Sequence, residues 1–229
     1  MSYVLKIMLN PSNQYNNVDV YGVSEAARMR ILANLIKDKL KKSDYSNSID
    51  CIITPADASD NLNAVVELEH NYKPHIFLSP HLNGANGNAS GTECWYYNGD
   101  AFGKRVASRL SASVASLIGI TDRGAKVTLD APEGGIFVVD NTNSTGMLIE
   151  CCFQDRKGDV DRFLASQDKV ANQIAWILID ECMKQFGLLT KNPTPQPQPS
   201  PAKNAQALKY IAEIEKNTSL LKAEVQKWL

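Results

Sequence analysis

Short β-rich runs alternate with longer segments of helical periodicity through most of this chain, and this alternation limits the folds open to it. Runs rich in aliphatic, β-branched and aromatic residues lie at 3–9, 49–54, 75–80, 91–97 and 145–151, with a weaker one at 124–128. Helical periodicity lies at 24–42, 58–71, 101–118 and 167–187. We therefore predict an α/β fold, with a mostly parallel twisted sheet of about six strands and helices on both faces.

The C-terminal part of the chain differs in composition from the rest. Residues 190–203 read TKNPTPQPQPSPAK, which is typical of an extended proline-rich linker. Residues 204–229 have apolar side chains at heptad spacing and predict one amphipathic, coiled-coil-like helix. We expect this helix to pair with a second copy of the chain, with another protein or with a further domain. The globular domain is then predicted at 1–189.

Composition argues against several classes of partner. Lys and Arg total 24 and Asp and Glu total 25, so a net charge of -1 gives no general attraction to nucleic acid. No run reaches the roughly 18 apolar residues of a membrane span. Five cysteines without CxxC spacing predict buried, reduced thiols rather than a disulfide framework. The N-terminal run MSYVLKIMLN lacks the charged, apolar and small-residue regions of a signal peptide, so we expect synthesis in the cytoplasm.

Histidine is scarce, and only one of the three histidines lies where a ligand or base is expected. In an open parallel sheet, ligands bind at the carboxyl ends of the strands. His81 follows the apolar run IFLSP and precedes a loop of small and polar residues, which places it at such an end. His70 ends a helical segment among charged residues, and His75 begins a strand at the opposite edge of the sheet. Both are interpreted as surface residues.

Two carboxylates are candidates for the same edge of the sheet. Glu25 lies in the first turn of the helix predicted at 24–42, which Ser24 can cap. A carboxylate stabilised by the helix N-terminus would explain Glu25 without any function. Glu150 lies between apolar residues in GMLIECCF, where burial should raise its pKa and suit it to proton transfer. The alternative for Glu150 is a structural carboxylate that accepts hydrogen bonds from backbone amides.

The residues and sequence runs of this chain, taken in order, resemble those of the zinc-dependent N-acetylmuramoyl-L-alanine amidases, in particular the catalytic domains of phage endolysins. The resemblance covers about residues 3–187. It rests on Glu25 at the start of the first helix and on four runs in order: SPHLNGANG at 79–87, GTECWYY at 91–97, DRGAKV at 122–127 and MLIECCFQDRKGDV at 147–160.

The resemblance implies a peptidoglycan hydrolase that cleaves the amide between N-acetylmuramic acid and L-alanine, with an amidase catalytic domain at 1–189. It implies Zn2+ as the cofactor, Glu25 and His81 as zinc ligands and Glu150 as the catalytic carboxylate. Zinc in such a site lowers the pKa of water and polarises the scissile carbonyl. Asn83 and Arg123 are the expected substrate-binding residues, although Asn83 could instead orient His81.

The chain departs from the family at its first zinc ligand. The family begins with a strand followed by Asp-Pro-Gly-His-Gly, whereas this chain reads LNPSNQYNN at 9–17. This run resembles a Ser-Pro-Ser-x-Gln version of the turn in related amidase-like sequences. A side-chain amide oxygen can bind a metal, though more weakly than imidazole. Gln14 is our first candidate for the third ligand and Asn13 the alternative; both residues could instead only shape the turn.

Two other functions remain open at this point. The domain could be a non-catalytic module that binds peptidoglycan through an amidase-derived fold. It could also be a thiol hydrolase that pairs Cys152 with His81, which requires an accessible thiol of low pKa. For the amidase, the substrate lies outside the membrane, so we expect release through a phage holin, lysis or a secretion apparatus before the protein acts on the cell wall.

Overall fold

One mixed sheet organises the fold in a computed structural model that describes residues 4–56 and 61–186. Its six strands lie in the order β2-β1-β3-β6-β4-β5. Their bounds are β1 Leu5–Leu9, β2 Ile49–Ile53, β3 Ile76–Asn83, β4 Thr92–Tyr96, β5 Asp122–Val127 and β6 Thr145–Phe153. All neighbouring strands run parallel except β4 and β6, which are antiparallel. The mostly parallel sheet predicted from the sequence is confirmed.

The strands are connected mainly by helices. Their bounds are α1 Glu25–Lys41, α2 Leu62–Tyr72, α3 Ala101–Ile118, α4 Phe137–Asp140 and α5 Lys157–Phe186, with 3-10 turns at Ser46–Ser48 and Thr128–Asp130. The start of α1 is defined by Ser24, whose hydroxyl accepts a hydrogen bond from the backbone N–H of Ala27. This cap places Glu25 in the first turn, as the sequence predicted.

Helices cover both faces of the sheet, and the alternation of side chains along each strand divides the core in two. One core includes Ile7, Leu78 and Ile149 and packs against apolar residues of α1, α3 and α5. The other includes Met8, Phe77, Trp95 and Leu148 and packs against Val65 of α2 and Val138 of α4. His81 and Glu150 lie at even spacing from Phe77 and Leu148, so they project from the sheet on the side of this second core.

The largest extensions beyond the predicted bounds are in β3 and α5. Strand β3 was expected to end at residue 80 but continues to Asn83, because the Pro80 carbonyl accepts a hydrogen bond from Ser12 and β6 pairs alongside. Helix α5 was expected at 167–187 but begins at Lys157, because Val160 and Phe163 extend its buried stripe toward the N-terminus. His81 therefore lies within β3 rather than in the loop after it.

The remaining expectations are partly tested. All five cysteines are buried and unpaired, as predicted. Within the described ranges, no helix combines the length and apolarity needed to cross a membrane. The linker at 190–203 and the helix at 204–229 lie outside the described residues, and so does the pairing expected from that helix.

Candidate active site

Three predicted site residues meet at one edge of the sheet. His81 of β3 and Glu150 of β6 are direct neighbours in the parallel register of these two strands. Glu25 comes to them from the first turn of α1, whose N-terminus follows the loop after β1. All three side chains line one cavity of about 900 Å³. The carboxyl ends of the strands thus carry the site, as expected for an open α/β sheet.

Glu25 and His81 are in direct contact. Nδ1 of His81 lies 2.9 Å from Oε1 of Glu25, and the same oxygen accepts a hydrogen bond from the backbone N–H of Leu82 at 3.2 Å. The Glu25 side chain is only 1% exposed and that of His81 13%. A carboxylate that is removed from water in this way needs a nearby positive group or donor. Stabilisation by the helix N-terminus alone is therefore an incomplete account of Glu25.

The charge state of His81 reflects two opposing effects. Burial alone would lower the pKa of the imidazole, because it disfavours the charged form. The hydrogen bond to Glu25 and the negative charges of Glu150 and Glu25 outweigh burial, so the pKa of His81 is raised. The charges of Glu25, His81 and Glu150 are thus coupled to one another.

Glu150 has the properties that the sequence predicted for it. Burial, reinforced by the charges of Glu25 and Glu93 and opposed by His81, raises its pKa from 4.5 to about 7. Its Oε2 is buried and accepts no hydrogen bond from the described residues. A structural carboxylate satisfied by backbone amides would have partners at both oxygens. The carboxyl group is therefore suited to exchange a proton near neutral pH.

The loop after β1 forms a further wall of the cavity. Asn10 and Ser12 continue the strand pairing by donating backbone hydrogen bonds to the carbonyls of Leu78 and Pro80. Asn13 and Gln14 follow, and both line the cavity with Glu25 and His81. The Gln14 side-chain oxygen accepts a hydrogen bond from Asn17. An amide oxygen has two lone pairs, so this contact leaves one for a further partner.

Sequence reasoning missed a fourth charged residue, Glu93 of β4. Glu93 is the register partner of Glu150 and is 3% exposed. Its Oε1 accepts from Asn83 at 3.1 Å, and its Oε2 accepts from Arg123 and Lys126, both at 2.5 Å. Burial alone would raise the pKa of Glu93, but these two cations lower it below its ordinary value. The signal was present, since Glu93 lies in the apolar run TECWYY much as Glu150 lies in its own strand.

The two predicted substrate-binding residues, Asn83 and Arg123, line the same cavity. The side-chain amide of Asn83 donates a hydrogen bond to Glu93, and its Oδ1 accepts one from the backbone N–H of Gly84. No described contact joins Asn83 to His81. This arrangement favours a place in the substrate cavity over the alternative in which Asn83 orients His81.

The other histidines and the thiols lie apart from this site. His70 is exposed, and its ring lies beside the carbonyl of Asn141. His75 directly precedes β3, and its Nδ1 accepts a hydrogen bond from the backbone N–H of Lys6 in β1. Cys152 is fully buried, and burial raises the pKa of its thiol well above the ordinary value. A nucleophilic cysteine requires the opposite. The thiol-hydrolase alternative is therefore wrong.

The raised pKa of Glu150 predicts a pH-dependent stability of the metal-free protein. A carboxyl group with a higher pKa in the folded state binds its proton more tightly there, so stability decreases as the pH rises from 4.5 to about 7. In a chelator, the free energy of unfolding of the unsubstituted protein should fall across this range by about 3 kcal/mol more than that of Glu150→Gln. Urea unfolding at pH 5 and pH 8 measures the difference; equal decreases would contradict the assigned pKa.

The fold and the site define an α/β protein with a carboxylate–imidazole pair and a second buried carboxylate in one cavity, which is an arrangement found in hydrolases. The family model of N-acetylmuramoyl-L-alanine amidase matches residues 10–179. The chain belongs to this family, and the resemblance predicted from its motifs is confirmed.

Individual relatives agree with this assignment. An uncharacterised cell wall amidase of Bacillus anthracis is 31% identical over 110 residues, which are 44% of this chain and 20% of that protein. This chain thus spans about a fifth of that relative's length. Cwp6 from Clostridium difficile superposes with a TM-score of 0.68 and 23% identity, covering 79% of this chain and 30% of that one. An N-acetylmuramoyl-L-alanine amidase from Clostridium difficile 630 superposes with a TM-score of 0.66 and 21% identity. The match covers 83% of this chain and 100% of that one. At these identities the structural likeness shows the fold.

Proposed function

We propose that this chain is a peptidoglycan hydrolase that cleaves the amide between N-acetylmuramic acid and the first L-alanine of the stem peptide. Family membership supports the reaction class. The observation that carries the proposal for this chain is the convergence of Glu25, His81 and Glu150 in one cavity, with the first two in contact at 2.9 Å. The cavity is large enough for a segment of a sugar–peptide conjugate.

The residues present fit a zinc ion only if an amide completes the ligand set. Two atoms bound to one zinc ion lie at most about 4.4 Å apart, so the Glu25–His81 separation is compatible with shared binding. Across the described residues, no group of three His, Cys, Asp or Glu side chains is placed to hold a metal ion. The loop after β1 supplies the nearest alternative donors. Glu25, His81 and Gln14, with Asn13 as the alternative to Gln14, are the proposed ligands.

Zinc in this site would supply a Lewis acid that polarises the scissile carbonyl and lowers the pKa of water. The chain's own residues perform the remaining chemistry. Glu150, ionised in part near neutral pH, accepts the proton of the attacking water and returns it to the departing alanine nitrogen. Trp95 and Leu148 contribute apolar side chains to the wall of the same cavity.

The third ligand can be identified by paired substitutions. Gln14→Ala is expected to weaken zinc binding about tenfold, because it removes the side-chain amide oxygen of a residue that lines the cavity. Asn13→Ala should change the affinity by less than about twofold if Gln14 is the ligand. Calorimetric titration of the chelator-treated protein with zinc measures both values. The reverse order would assign Asn13, and unchanged affinities in both variants would exclude the loop from the metal site.

The reaction itself is tested by the new chemical groups that it produces. Purified full-length protein incubated with cell walls and zinc should release amino groups that belong to alanine, and a chelator should stop the release. New reducing sugars would instead indicate cleavage of the glycan. Release of other amino termini would indicate a peptidase, and either result would overturn the proposal.

A second function is favoured because, in the part of the chain that the structure describes, no third Asp, Glu, Cys or His joins Glu25 and His81 to hold a metal ion. A domain with only Glu25 and His81 as strong donors could bind peptidoglycan without cutting it. The two functions differ in metal content and in the role of Glu150. A binding module should retain little zinc and should bind cell walls equally well after Glu150→Gln.

We also propose that the chain acts on the cell wall in the manner of an endolysin, after release through a holin, lysis or a secretion apparatus. The position of the substrate outside the membrane supports this. Fractionation of producing cells tests the idea, since the protein should be found at the wall only after one of these release routes is active.

A further inference from the structure

Beyond the proposed catalytic group, the cavity contains two cations that share one buried carboxylate. Arg123 and Lys126 of β5 both donate to Oε2 of Glu93, and both line the cavity. The Glu93 side chain is 4% exposed, whereas those of Arg123 and Lys126 are 36% and 29% exposed. Within this group of three side chains, two positive charges face one negative charge; Asp130 and Glu133 also line the cavity.

Arg123 is held by contacts on three sides. Its Nε donates to Glu93, and its guanidinium lies over the ring of Phe153 at 5.2 Å from the centroid. The aliphatic part of its side chain packs against Gly91, where an added Cβ would lie only 2.7 Å from Cδ of Arg123. Glycine at position 91 therefore leaves the space that this side chain occupies. The described contacts use one of five N–H donors of the guanidinium.

Lys126 is held in a similar way. Its Nζ donates to Glu93 and lies 5.1 Å from the centroid of the Trp95 ring. A cation that is fixed by an aromatic face and a carboxylate loses little further entropy when it binds an anion. The buried Glu93 therefore acts as a positioning residue, which keeps both cations at the wall of the cavity.

The position of this pair relative to Glu150 indicates which part of the substrate it would meet. Strand β5 lies two strands from β6, a separation of about 10 Å. An extended dipeptide reaches about 7 Å, before its side chains are counted. Stem peptides carry free carboxylates beyond the first alanine, whereas the lactyl carboxyl of the sugar is consumed in the scissile amide.

We propose that Arg123 and Lys126 form a carboxylate-binding subsite that receives the acidic second residue of the stem peptide. This inference rests on the proposed function, because it takes the scissile amide to lie beside Glu150. It directs the peptide towards β5. It also makes the enzyme sensitive to amidation of that residue, a change that removes the negative charge while keeping the shape.

The test compares two synthetic ligands in which the γ-carboxyl of the D-glutamate is capped as a methylamide: N-acetylmuramoyl-L-alanyl-D-glutamate γ-methylamide with its α-carboxylate free, and the same compound with the α-carboxyl amidated. Binding is measured by calorimetry on the full chain carrying Glu150→Gln, so that neither ligand is consumed. The free carboxylate should bind about tenfold tighter than the amide. Arg123→Gln and Lys126→Gln in this background should each reduce the preference, and the double variant should abolish it.

Matched controls separate this effect from general loss of charge or of structure. Arg162→Gln and Lys104→Gln remove one arginine and one lysine outside the cavity and should leave the preference unchanged. Arg123→Lys keeps the charge but loses the planar fork, so it should retain part of the preference even if Arg123→Gln folds poorly. Equal binding of both ligands by the parent chain, or an undiminished preference in the double variant, would overturn the subsite.

Activity of the unsubstituted chain on the same two ligands distinguishes the subsite from the proposed function. Release of alanyl peptide from both ligands with equal KM and kcat would refute the subsite and leave the amidase assignment intact. Absence of cleavage, together with a carboxylate preference that depends on Arg123 and Lys126, would refute the amidase assignment and support the subsite.

Discussion

Replacing Glu150 with glutamine is expected to lower the rate of amide cleavage by about a thousandfold while leaving the fold and substrate binding intact. The amide has the shape of the protonated carboxyl, which burial already favours at this position. It cannot accept the proton of the attacking water, so the loss should appear in kcat rather than in KM. Timed release of alanine amino groups from cell walls measures the rate.

Glu69→Gln is the matched control for this substitution. Glu69 is also a buried glutamate, but it accepts hydrogen bonds from the backbone N–H groups of Asn143 and Ser144 and lies outside the cavity. Its replacement should reduce the stability of the fold and leave the rate of amide cleavage unchanged. If Glu150→Gln retained the full rate, or lost it only in step with its stability, Glu150 would not be the proton acceptor.

Replacing His81 with alanine should weaken zinc binding by more than about a hundredfold and abolish cleavage. Without His81, Glu25 and an amide are the protein donors that remain in the proposed ligand set. The described residues include no group of three His, Cys, Asp or Glu side chains that is placed to hold a metal ion. Zinc content after dialysis and a calorimetric titration measure the loss.

His70→Ala provides the comparison for this variant, because His70 is exposed and lies outside the cavity. It should keep both zinc and activity. If His81→Ala bound zinc as tightly as the unsubstituted chain, the metal site would lie elsewhere in the chain.

The fold was largely predictable because its signals are local. Alternating β-rich and helical segments sufficed to predict six strands, and the residues that open α1 predicted its cap at Ser24. The errors arose where tertiary contacts override local chemistry. Pro80 usually ends a strand, yet β3 continues because neighbouring segments pair on both sides of it. The antiparallel pairing of β4 with β6 likewise depends on contacts far apart in sequence.

The sequence indicated three of the residues that meet in the cavity, but not the contacts between them. Glu150 was singled out by its apolar neighbours, His81 by its place at the end of a strand and Glu25 by its place in the first turn of α1. The family resemblance then implied their roles, and Glu25 and His81 are in contact. Glu93 has the same apolar context as Glu150 and was missed, because its role depends on Arg123 and Lys126 from another strand. A single sequence shows that a carboxylate is buried; which cation neutralises it depends on strand order.

The same reasoning explains why the third ligand was left between Gln14 and Asn13. Both side chains are amides in one loop, and both line the cavity. Their relative distance from a bound ion depends on loop geometry, which sequence patterns do not specify. The hydrogen bond from Asn17 to Gln14 is the kind of contact that biases such a loop.

The central claim is that one divalent cation binds between Glu25 and His81, beside Glu150. Diffraction from zinc-soaked crystals on the two sides of the zinc absorption edge tests it most directly. We expect a single anomalous peak in each chain within bonding distance of Oε1 of Glu25 and of the His81 imidazole, and no peak there after His81→Ala. Crystals of the unsubstituted protein without a peak at this position, or with zinc bound only elsewhere, would contradict the claim.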